Sequence, residues 1–93
     1  MAYTPFTLQV TTVSESLFDG EAHELHCRGV DGQLTILAHH EPLITRLEAG
    51  DVKVVAASGE EHVYAIHSGV VEVADNKAVV LCSMDEQGIS TDS

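Results

Sequence analysis

The sequence is poor in basic residues. Lys and Arg together number 4 against 15 Asp and Glu, giving a formal net charge of −11. Nucleic acid and anionic lipid both select a basic footprint, so neither is an expected partner. A basic protein surface is compatible with this charge, as is acidity that serves solubility alone. Trp is absent, and Phe and Tyr contribute 2 residues each, so aliphatic side chains must fill the core. The only cysteines are Cys27 and Cys82, with no Cys-x-x-Cys spacing; free buried thiols in a reducing compartment are expected rather than a disulfide framework. No apolar run approaches the roughly 20 residues of a membrane-spanning helix. The opening MAYTPFTLQV has neither the basic region nor the apolar core of a signal peptide. Together these gaps predict a cytoplasmic protein, free or docked on a membrane-bound assembly.

What is present fits one small domain. At 93 residues, 44% of them apolar, roughly 60–65% of the unfolded surface can be buried, enough for one modest core. Valine is prominent, and branching at Cβ favours strands. Strands are predicted at Phe6–Val13, Ala22–Cys27, Leu34–Leu37, Leu43–Leu47, Asp51–Ala56, His62–His67, Val70–Val73 and Ala78–Cys82. Leu17–Gly20 reads as a separate short apolar piece ending in a turn signal, and Gly69 as a strand break. Gly29–Gly32, Ser58–Glu61 and Ala74–Lys77 read as turns. Pro42 belongs at an edge or bend. The expected fold is all-β, a small sandwich of about eight to ten short strands. It is expected to span residues 1–83, with a polar tail over 84–93 expected to fray.

Candidate chemistry is sparse. The adjacent pair His39-His40 beside Glu41 suggests a metal or a proton relay, but neighbours on a strand point to opposite faces. A zinc site would need further ligands, for which His23, His26, Cys27 and His62 are available without any spacing that demands it. Ser14, Ser16, Ser58 and Ser68 lie outside any G-x-S-x-G elbow. No glycine-rich loop has phosphate-cradling spacing. Catalysis and cofactor binding are therefore not expected. A stand-alone metal-binding or sensing sandwich would instead require several of His23, His26, His39, His40, His62 and His67 to share one polar pocket.

The order of motifs is more specific than any one of them. Gly32-x-Leu34-x-Ile36-Leu37-x-x-His40-x-Pro42-Leu43-Ile44-Thr45-x-Leu47-x-x-Gly50 resembles the signature of the epsilon subunit of the rotary ATP synthase, named delta in mitochondria. Val13–Gly20 is similar to that family's first hairpin. Ile66-x-x-Gly69-Val70-Val71-Glu72-Val73 and Asn76-x-x-Val79-Val80-Leu81 look like its closing strands. The resemblance covers about residues 6–82. Thr35, Ala38, His39 and Ser68 depart from it, standing where the family commonly has Gly, Pro, Gly and Gly.

The resemblance implies a β-sandwich followed by a pair of helices. Only eleven residues follow Cys82, and they show no helical period. The likeness is therefore to short epsilon subunits made of the sandwich alone, or to a shortened piece of a longer one. The hairpin's inhibition of ATP hydrolysis, and its ATP binding in some members, are not carried over. The implied role is a non-catalytic rotor subunit that couples gamma to the membrane c-ring. It would sit peripherally on the cytoplasmic face of a bacterial inner membrane. By position, Asp31, Gly32 and Gln33 would face the polar loops of the c-ring, and Thr12, His40 and Pro42 would face gamma. Without gamma, exposed apolar surface would favour weak self-association.

Overall fold

The computed structural model describes residues 4–84, so the tail expected over 84–93 lies, apart from Met84, outside the described residues. The described chain is all-β, with eight strands: β1 (Phe6–Thr11), β2 (Ser16–Gly29), β3 (Gly32–Ile36), β4 (Leu43–Leu47), β5 (Gly50–Ala56), β6 (Glu61–Ile66), β7 (Ser68–Ala74) and β8 (Lys77–Ser83). They hydrogen-bond in the order β1-β8-β7-β4-β2-β5-β6, with β3 also on β2 and β1 closing back onto β2. β1 and β8 run parallel, and the other pairs are antiparallel.

The long strand β2 organises this closure. Its first half pairs with β1, from Ser16 opposite Thr11 to Ala22 opposite Phe6. A register shift between Ala22 and Glu24 then releases it to pair with β5, and with β3 from Leu25 onward. Such an irregularity bends a strand and lets one segment serve two sheets. The expected break at Gly20 is therefore corrected: Asp19 and Gly20 lie within the strand, opposite Gln9 and Leu8. The turn signal is local, whereas the β1 partner that overrides it comes from elsewhere in the chain.

Gly69 is likewise not a break. It lies inside β7, opposite Cys82 and Leu47. A Cβ there would stand 2.9 Å from the Leu81 carbonyl and 3.2 Å from the Cys82 Cβ, so glycine permits close backbone approach. The chain instead turns at His67, whose N–H donates to the Ser83 carbonyl at 2.7 Å. The expected turns do form. Val30 and Asp31 link Gly29 to its partner Gly32, which has φ 125°. Asp75 and Asn76, at φ 53° and 59°, link Ala74 to Lys77. Both residue types tolerate this left-handed region, and two successive positive φ values suit the twist of a tight hairpin.

Alternation places Leu8, Val10, Leu25, Ile36, Val54, Val71 and Val80 in the core with Phe6, the one buried aromatic residue among the described residues. Among the described residues no polar or charged residue is fully buried.

Candidate functional site

Register relates the expected contact residues to one another. Across the sheet, Thr11 lies opposite Leu81, Leu81 opposite Val70, and Val70 opposite Arg46. The Val30 N–H donates to the Arg46 carbonyl at 3.0 Å. Thr12 and the 30–33 hairpin therefore share one end of the sheet, four strand spacings or about 19 Å apart measured along it. His40 and Pro42 precede Leu43, which lies opposite Val73, and so occupy the other end of these strands. At a rise of about 3.3 Å per residue, the two ends lie roughly 15–20 Å apart.

Thr12 is a turn-forming residue. Its N–H donates to the Glu15 carbonyl at 2.8 Å. Its Oγ1 accepts from the Ser14 and Glu15 N–H groups at 3.2 and 3.1 Å. Serving the turn with its own side chain leaves the adjacent Val13 displayed, 94% exposed. Asp31, Gly32 and Gln33 are all exposed on their hairpin. His40 is half-buried, with Nδ1 2.7 Å from the Glu41 carbonyl, and Pro42 is exposed.

Between the two ends lies a sheet face that sequence reasoning did not single out. Ile44, Val70 and Leu81 project from β4, β7 and β8 to the side opposite the core. Val70 is directly opposite Leu81, and Ile44 opposite Glu72, two residues along β7 from Val70. Their exposures of 71%, 39% and 47% are high for large aliphatic side chains placed together. The signal was present in Ala78-Val79-Val80-Leu81-Cys82, a run with no polar alternation, as suits a strand covered on both faces. Arg46 and Lys77 share this side and form no ion pair with any described residue.

The opposite outer face, on β3, β2 and β5, is polar and internally paired. His26 contacts Glu24 at 2.8 Å, Arg28 approaches Glu48 at 3.7 Å, and Lys53 approaches Glu61 at 3.5 Å. The Thr35 hydroxyl lies 3.3 Å from His26 Nδ1.

Ser58 and the two thiols serve the fold. A groove of about 630 Å³ is lined by Thr4, His23, Glu24, Leu37, Val55 and Ser58, among others. The Ser58 hydroxyl accepts from the Glu60 N–H at 3.4 Å, serving the turn. Both thiols are buried. Desolvation pushes Cys27 from its ordinary 9.0 up to about 11, and burial also pushes Cys82 up, so neither is a ready nucleophile. Because the folded Cys27 value is the higher, its contribution to stability is complete below pH 9.0 and is lost as pH rises through about 11. The histidines are dispersed. His26 lies on the polar face, and His62 stacks with Tyr64 and meets Phe18. His39 and His40 lie in the β3–β4 loop, and His67 at a corner. Among the described residues no three His, Cys, Asp or Glu side chains gather where they could hold a metal. The dispersal removes the shared polar pocket that a metal-binding or sensing role requires.

Comparison with known proteins agrees with this architecture. The family described as "ATP synthase, Delta/Epsilon chain, beta-sandwich domain" matches residues 5–87. The ATP synthase epsilon chain of Chromohalobacter salexigens is 38% identical over 76 residues, covering 82% of this chain and 54% of that protein. The epsilon chain of Delftia acidovorans is 35% identical over 86 residues, covering 92% and 62%. The chain thus spans little more than half the length of these curated relatives. In fold it is similar to a chain of the Euglena gracilis mitochondrial ATP synthase, solved with OSCP, F1 and c-ring. That match has a TM-score of 0.78 and 22% identity, covering 84% of this chain and 50% of that one. A chain of the Tetrahymena thermophila mitochondrial ATP synthase central stalk and c-ring matches with TM-score 0.72 and 17% identity, covering 91% and 67%. The strand order, the matched span and the kinship at this identity place the chain in the delta/epsilon β-sandwich family of the ATP synthases.

Proposed function

We propose that this chain is the sandwich of a non-catalytic rotor subunit that joins gamma to the c-ring of an ion-driven ATP synthase. It works peripherally at the cytoplasmic face of a bacterial inner membrane. The observation that carries the proposal is the apolar face of Ile44, Val70 and Leu81, which lies between Thr12 and the His40–Pro42 loop. A partner that touches both of those elements must lie along that face. Desolvating such a cluster is a strong source of affinity at protein interfaces.

The 30–33 hairpin, at the Thr12 end of the sheet, takes the c-ring contact. Asp31 is exposed there beside Gly32 and Gln33, and a carboxylate at a hairpin tip suits a basic ring surface. Torque transfer needs a stiff body gripped on two adjacent surfaces, and closure of β1 onto β2 supplies the stiffness. No cofactor is required for this role.

Calorimetric titration of the cognate gamma subunit tests the proposal. One-to-one binding with a negative heat-capacity change, the mark of apolar burial, is expected. A well-folded gamma that gives no heat of binding at micromolar concentrations at any of several temperatures would remove the rotor role and leave only the fold.

A further inference from the structure

The β3–β4 loop carries His40 and Pro42, yet no strand pairing holds it. Its conformation is set from a distance. His39 adopts φ 63°, uncommon for a residue with a Cβ. Its N–H donates to Oδ1 of Asn76 at 2.7 Å. Nδ2 of the same side chain donates to the Pro5 carbonyl at 3.1 Å. The Asn76 carbonyl accepts from the Thr7 N–H at 3.2 Å. A backbone N–H can be served only by the amide oxygen and a carbonyl only by the amide nitrogen, so the two partners fix the orientation of the amide. One residue thus ties together the β7–β8 turn, the start of β1 and the β3–β4 loop.

We infer that Asn76 is a positioning residue, whose side-chain amide locks the His40–Pro42 loop against the N-terminal strand and so fixes one end of the gamma-docking face. The consequence for gamma rests on the rotor reading above; the lock itself does not. A left-handed His39 persists only where its surroundings over-determine it, and the Asn76 oxygen is the partner that does so.

Asn76→Gly tests the inference cleanly, because glycine accepts the φ of 59° at this position and removes both side-chain bonds. Hydrogen exchange at the His39 amide is expected to speed up about tenfold or more, the scale of one net hydrogen bond. Exchange at Val71 and Val80 in the core is expected to stay slow, showing that the sandwich remains folded. Asn76→Asp keeps an acceptor for His39 but sets a carboxylate oxygen against the Pro5 carbonyl, so it should restore protection at His39 only in part. In calorimetry with gamma, Asn76→Gly should bind about tenfold more weakly, and Asn76→Asp should recover part of that loss. Unchanged exchange at His39 in Asn76→Gly would overturn the lock. Faster exchange with gamma affinity intact would overturn the positioning role. If the unsubstituted chain does not bind gamma while exchange at His39 responds as expected, the rotor reading fails and the lock stands.

Discussion

The two outer faces of this sandwich are built from the same kind of strand yet differ in how their side chains are satisfied. On β3, β2 and β5, His26, Arg28 and Lys53 each lie near a carboxylate of the chain itself. On β4, β7 and β8, Ile44, Val70 and Leu81 are exposed, and Arg46 and Lys77 pair with no described carboxylate. A face whose charges are matched internally gains little from a partner, because docking would first have to desolvate those pairs. A face with bare aliphatic groups and uncommitted cations gains from both burial and new pairing. Total charge alone would not have distinguished the proposed docking face. In a chain of net charge −11, the local balance on each face is what distinguishes them.

Substitutions on each face should separate the two. The largest effect is expected from replacing Ile44, Val70 and Leu81 together with serine. Affinity for gamma should fall about 100-fold or more, while urea unfolding shifts by about 1–3 kcal/mol, since Val70 and Leu81 are only partly exposed. Gly69→Ala acts beneath the same face. The added Cβ must displace the Leu81 carbonyl or the Cys82 side chain, which should cost about 1–3 kcal/mol of stability in denaturant titration. Arg46→Ala should weaken gamma binding by about 1 kcal/mol, with a loss that shrinks at high salt. The smallest effects should come from the polar face. Arg28→Ala or Lys53→Ala should leave gamma binding unchanged and shift stability by less than about 0.5 kcal/mol, because exposed ion pairs contribute little.

Most of the fold was legible in the sequence. Alternation along Asp51–Ala56 and His62–His67 marked half-buried strands, and β5 and β6 lie there. Asp75-Asn76 announced the β7–β8 hairpin through residues that tolerate positive φ. Gly20 and Gly69 were misleading, because a glycine admits both a turn and a close strand contact. Only pairing with residues distant in sequence decides between them, and Leu8 and Cys82 supply that pairing here. The candidate site was less legible for the same reason. Thr12 and His40 stood out through their surrounding motifs. The face between them consists of single residues on three strands, and it becomes one surface only once register aligns Val70 with Leu81 and Ile44 with Glu72. Asn76 read as a turn residue, and nothing local revealed that its side chain reaches His39 and Pro5.

The most direct test of the contrast is hydroxyl-radical footprinting of this chain, free and bound to the cognate gamma subunit. Oxidation of Ile44 and Leu81 should fall sharply in the complex while oxidation of His26, on the opposite face, is unchanged. Protection of His26 with Ile44 and Leu81 still reactive would contradict that contrast.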